Sequence, residues 1–150
     1  MPIYVNEVEI TDDEVFREMQ FHPAPTQEKA RDEAAGALLI RELLRQEAVE
    51  QGFLEPQAAA DAVDSGIMRL VENMVTTPEA TTEACRRYYD QNIDRFTVEN
   101  GDGAPLPFED VENRIRDYLH VRSIRHGIQS YILDLAHRAQ IAGFDLAASL

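Results

Sequence analysis

The chain has 150 residues, enough for one domain with a real core and too few for a comfortable second one. Its 14 Lys plus Arg against 28 Asp plus Glu give a formal net charge of −14, which repels nucleic acid and anionic membrane surfaces, so neither is an expected partner. With 44% apolar and 28% charged residues and no Trp, the composition suits a folded, helix-rich chain rather than a disordered one.

The opening "IYVNEVEIT" alternates as a short strand does, with Ile3, Val5, Val8 and Ile10 apolar and a turn expected at Asn6-Glu7. Thr11 followed by Glu14 is a capping box that starts a helix over 12–21, carrying Val15, Phe16 and Met19 on one side and ending before Pro23. Thr26 caps the next helix, over 27–51, where Ala30, Ala34, Leu38, Leu39, Leu43, Leu44 and Ala48 recur at helical spacing and Gly52 supplies the stop. Pro56 stands where a first-turn proline belongs, which predicts a third helix over 56–75 with Val63, Ile67, Leu70, Val71 and Met74 on one face, paired antiparallel to the second.

Thr77-Pro78 suggests a fourth helix over 79–93 with Ala84, Cys85, Tyr88, Tyr89 and Ile93 as its apolar face. A run with Gly101, Gly103, Pro105 and Pro107 then reads as a loop. The longest helix follows, over 107–139, where Val111, Ile115, Tyr118, Val121, Ile124, Ile128, Tyr131 and Leu135 advance in steps of 3 and 4. At 1.5 Å per residue it makes a rod on the order of 50 Å, longer than it can cover by itself. Gly143 can end it, and Phe144 to Leu146 are predicted as a strand that pairs with the N-terminal one. The expected fold is mainly all-α, with five helices and a small pairing of terminal strands.

Little in the chain points to chemistry. Cys85 has no partner for a disulfide or a cysteine zinc site and is expected buried. His22, His120, His126 and His137 meet no metal-binding spacing, so neither metal nor other cofactor is expected. The acidic clusters "TDDE" and "EDVE" lie at helix starts, where the helix dipole favours negative charge. The aromatic pair Tyr88-Tyr89 is expected to place one ring in the core and the other at its edge. No apolar run approaches membrane-spanning length and no basic segment precedes an apolar one at the start, so a cytoplasmic protein is expected.

The segments "VNEVEIT", "LLIRELLRQEAVEQGF", "RRYYDQNIDRF", "PLPFEDVENRIRDYL" and "AQIAGFDL", in that order, resemble the N-terminal chaperone core of the SurA and PpiC type parvulin proteins, a group that includes NifM-like accessory isomerases. The resemblance covers nearly the whole chain. It implies a five-helix chaperone core with a long C-terminal helix, and it places a parvulin prolyl-isomerase domain between "YYDQNIDRF" and "PFEDV". Here only 97–106 stands there, whereas a domain needs at least about 50 residues. The resemblance therefore implies a single chaperone-like domain without the isomerase and without its enzymatic activity.

The function expected is non-catalytic holding of an unfolded or assembly-stage client polypeptide. Phe16, Met19, Phe21, Met68 and Met74 are its candidate peptide-binding residues, because Met and Phe adapt to varied partners. Alternative readings are a dedicated accessory factor for maturation of one client enzyme, of the metalloenzyme kind, and a structural dimerisation module. The uncovered stripe of the last helix motivates a homodimer in which that helix is exchanged, with Ile115, Tyr118, Ile124, Ile128 and Tyr131 at the interface.

Overall fold

A computed structural model describes residues 2–97 and 103–149. Its elements are β1 (Ile3–Val5), β2 (Val8–Ile10), α1 (Asp12–Glu18), α2 (Gln27–Glu50), α3 (Ala60–Met74), α4 (Thr82–Gln91), α5 (Phe108–Arg138), β3 (Ile141–Ala142) and a final turn α6 (Leu146–Ser149). Short 3-10 segments, Met19–Phe21 and Ile93–Phe96, extend α1 and α4. The fold is mainly helical with one small antiparallel sheet, and it divides into two compact units, Met1–Val75 with Ile128–Leu150, and Thr76–Gly127.

The first unit is organised around α2. Thr26 Oγ1 accepts the Lys29 backbone N–H at 3.1 Å to start the helix, and Gly52, at φ +85°, stops it in the left-handed conformation that residues with a Cβ avoid. Ala34, Ala35, Leu39, Leu43 and Ala48 form its buried stripe, and the alanines let α1, α3 and the hairpin approach it. The sheet order is β2-β1-β3. Tyr4 pairs with Glu9 and Ala142, while Ile3, Val5 and Ile10 turn into the core.

Asn6, at φ +56°, forms the expected hairpin turn and does more than turn the chain. Its backbone N–H donates to Gln140 O at 2.7 Å, its Oδ1 accepts the Gln140 N–H at 2.9 Å, and its Nδ2 donates to Gln46 Oε1 at 2.7 Å. Gln46 in turn donates to Val5 O. One side chain thus joins the hairpin, α2 and the segment entering β3.

In the second unit, Cys85 and Tyr89 of α4 pack with Phe108, Val111 and Ile115 of α5. Tyr89 is buried and Tyr88 sits at the edge, as the apolar spacing predicts. Arg116 reaches from α5 to the approach of α4, donating to Ala80 O, to Thr82 Oγ1 at 3.3 Å and to Glu112 Oε2 at 2.6 Å.

Three expected boundaries move. Pro56 does not open α3; it takes the second position of a turn closed by Ala58 N–H to Glu55 O, where its fixed φ serves equally well. The helix starts four residues later because Phe53 and Leu54 first dip into the core over Gly66, where an added Cβ would lie 3.1 Å from Phe53 O. Thr77-Pro78 likewise does not start α4. Thr81 caps it by accepting the Ala84 N–H at 3.1 Å, and the Ala80 carbonyl that a longer helix would use internally is bound by Arg116. The C-terminal strand is Ile141–Ala142 rather than Phe144 to Leu146, because Gly143 at φ +83° turns the chain and lets Leu146 enter the core on a helical turn.

Candidate functional site

The five residues expected to touch polypeptide are all in the first unit and differ in how they are used. On α1, Val15 and Met19 face the core while Phe16, one residue and so about 100° farther round, is 76% exposed. Phe21, at the end of the 3-10 segment, is 69% exposed. On α3, Val63 and Leu70 are buried with Ile67 and Val71 against the core, leaving Met68 at 63% and Met74 at 46% exposure. Met19 therefore belongs to the packed side, and the other four are exposed apolar residues of this unit, as Tyr4 and Val8 are.

Two grooves adjoin the α1 arm. One of about 390 Å³ is lined by Asp12, Asp13, Val15, Phe16, Met19 and Arg31. The other, of about 540 Å³, runs along α2 past His22, Lys29, Asp32, Glu33, Gly36, Ala37 and Ile40. Gly36 and Ala37 keep its floor low. His22 is held beside it by Glu18, Nε2 to Oε2 at 2.8 Å. Carboxylates border both grooves, so an apolar segment carrying Lys or Arg fits them better than an acidic one.

The α5 stripe does not remain continuous. Ile115, at 2% exposure, is in the core of the second unit, and Ile128 and Tyr131 pack on the core of the first. Tyr118 is 46% exposed and Val121 52%, while Ile124 is half-buried and belongs to neither cluster. The Tyr131 hydroxyl is buried without a hydrogen-bond partner; burial, aided by the nearby Glu47 carboxylate, pushes its pKa above the ordinary tyrosine value.

The second unit holds a cavity of about 290 Å³ that sequence reasoning did not single out, lined by Tyr88, Arg95, Phe96, Leu106, Arg114, Ile115 and Tyr118. Its rings touch one another, Tyr88 lying 6.3 Å from Phe96 edge-on and 5.4 Å from Tyr118. The walls are fixed by backbone. Thr97 and Pro105 bridge, Leu106 N–H donates to Phe96 O at 2.7 Å, and Tyr89 Oη donates to Leu106 O at 2.7 Å. The two ends of the 97–106 loop are therefore anchored; its middle, 98–102, lies outside the described residues.

Arg95 Nη1 donates to the Tyr88 hydroxyl at 3.0 Å, and the Arg122 guanidinium lies 5.8 Å from the Tyr118 ring centre. The nearby Arg122 guanidinium, and then Tyr88, hold the Tyr118 phenol below its ordinary pKa. The signal for this cavity was present in "RRYYDQNIDRF": Tyr88 and Arg95 are seven residues apart, two helical turns, and share a side of the chain.

No family model matches the chain, and neither a curated protein nor a solved structure matches it. Among the described residues no helix is long and apolar enough to cross a membrane.

Proposed function

We propose that the chain is a non-catalytic holder of unfolded or assembly-stage polypeptide, working through the α1 arm and the grooves beside it. The observation that carries this reading is the exposure of Phe16 and Phe21 at 76% and 69% on an arm that packs on the core through Val15 and Met19. Burying one Phe side chain contributes about 1.5–3 kcal/mol, a gain that the isolated chain forgoes and a bound apolar segment would recover. The acidic borders of both grooves favour clients rich in apolar and basic side chains. The order of motifs resembling the SurA and PpiC chaperone cores supports the same reading, and the short 97–106 segment supports a holder without isomerase activity.

The test is suppression of aggregation, followed by light scattering, of an unrelated protein unfolding in the presence of the chain. The unmodified protein should suppress it, and Phe16→Asp with Phe21→Asp should lose most of the effect while melting at the same temperature, since both rings are outside the core. Equal suppression by both proteins, or none by the unmodified one, removes the proposal. In the second case, recovery of one partner in a pull-down would favour a dedicated accessory factor.

A further inference from the structure

The cavity of the second unit combines features that a general apolar holder does not need. Three aromatic rings, Leu106 and Ile115 make an apolar wall, and Arg95 and Arg114 stand in the same lining. Arg41, Arg45, Arg86, Arg116 and Arg138 each pair with a carboxylate. Among the described residues, Arg95 and Arg114 have no such partner. Arg95 spends one donor on the Tyr88 hydroxyl, which orients the guanidinium and leaves its other N–H groups without a partner among the described residues. A planar guanidinium with free donors is suited to a carboxylate, which it can bind through two parallel hydrogen bonds.

The size of the cavity narrows the occupant. At about 290 Å³ it is just below the range of roughly 300–1,000 Å³ that holds drug-sized ligands, so it has room for about one residue. That residue must bring both an apolar side chain and a carboxylate. Within a polypeptide, Asp and Glu carry the carboxylate but no large apolar group, and Phe or Leu carry the apolar group but no carboxylate. Only the C-terminal residue can bear both on one α-carbon.

We propose that this cavity binds the C-terminus of a partner polypeptide that ends in an apolar residue, the side chain against Tyr88, Phe96, Leu106 and Tyr118 and the terminal carboxylate on Arg95 and Arg114. The site lies wholly in the second unit and does not depend on the α1 arm.

Calorimetric titration with an N-acetylated tripeptide ending in Phe tests it. The free acid should bind, its C-terminal amide about tenfold or more weakly, and Arg95→Gln or Arg114→Gln should reduce affinity for the acid by a similar factor. Both arginines are exposed, so far-UV circular dichroism should be unchanged in the variants. Salt should weaken binding of the acid. An amidated tripeptide with Glu next to Phe separates a side-chain carboxylate from the terminal one and should bind no better than the plain amide. Equal binding of acid and amide, equal binding of the Glu peptide and the acid, or no binding of the acid by correctly folded protein would each overturn the assignment. Protein carrying Phe16→Asp and Phe21→Asp should bind the peptide normally, so failure of the holding function and failure of this site are read separately.

Discussion

Replacing Gly143 by Ala should be among the most damaging single-methyl changes available to this chain. Gly143 is at φ +83°, and a Cβ placed on it would lie 2.2 Å from the Pro2 carbonyl oxygen and 3.3 Å from Ile3 Cα. The left-handed backbone alone costs a residue with a Cβ about 1–2 kcal/mol. A carbon approaches a carbonyl oxygen comfortably at about 3.3 Å, so the two backbones must separate by about 1 Å, and no rotamer can relieve a clash between backbone and Cβ.

The separation falls on the β1–β3 pairing, where Tyr4 faces Ala142 and Val5 faces Ile141. Losing about two ladder hydrogen bonds at about 1 kcal/mol each brings the total to roughly 3–4 kcal/mol, against a typical domain stability of about 5–15 kcal/mol. Gly52→Ala is the control, because it shares the positive φ but has nothing within 4 Å of the new methyl group. It should cost only about 1–2 kcal/mol. Urea unfolding followed by far-UV circular dichroism measures both. If the two variants lose the same stability, the close approach of Gly143 to Pro2 is not a constraint and the reasoning is wrong.

Tyr89→Phe should cost about 1 kcal/mol in the same assay by removing the 2.7 Å hydrogen bond to Leu106 O, and should loosen the cavity wall; an unchanged midpoint would show that the bond contributes nothing net. Tyr131→Phe should raise stability by about 1 kcal/mol, since it deletes a buried hydroxyl without a partner while keeping the ring in the core. The same substitution should flatten the alkaline limb of the stability profile. The folded-state pKa of Tyr131 is raised, so its neutral form contributes fully below the ordinary tyrosine value near 10, and that contribution is lost as pH rises from there through the folded-state pKa. A Phe variant as sensitive to alkali as the unmodified protein would contradict this.

The position of Pro56 shows where sequence reading stops being sufficient. Proline's fixed φ suits a helix start and the second position of a turn equally, and the choice fell to Phe53 and Leu54, whose burial over Gly66 needs four more residues before α3 can begin. Thr77-Pro78 lost to Thr81 in the same way, through an arginine 36 residues away that binds the Ala80 carbonyl. The candidate surface was only partly legible. Phe16 and Met19 belong to one apolar group in the sequence, but packing against α2 buries the face of Val15 and Met19 and leaves Phe16 outside. Of the cavity between α4 and the start of α5 only the Tyr88–Arg95 spacing was legible, because Leu106 and Tyr118 meet Tyr88 only after the loop ends are tied together.

Sequence alone determined the features that depend on neighbours within one helical turn or on the backbone of one residue. These are the Thr11 and Thr26 caps, the Gly52 stop, the turn at Asn6, the helical periodicities and the helix-rich class. Their energies are local, a hydrogen bond from a side chain to the next turn or a φ angle that a Cβ forbids, so the residues can be read in place. Tertiary structure decided which apolar residues became core. It divided the single stripe of α5 between two clusters, giving Val111 and Ile115 to one and Ile128, Tyr131 and Leu135 to the other, and it left Tyr118 and Val121 exposed. A stripe specifies that a face seeks cover and is silent on what covers it, because burial is a property of two surfaces and only one of them is written in the periodicity of the helix.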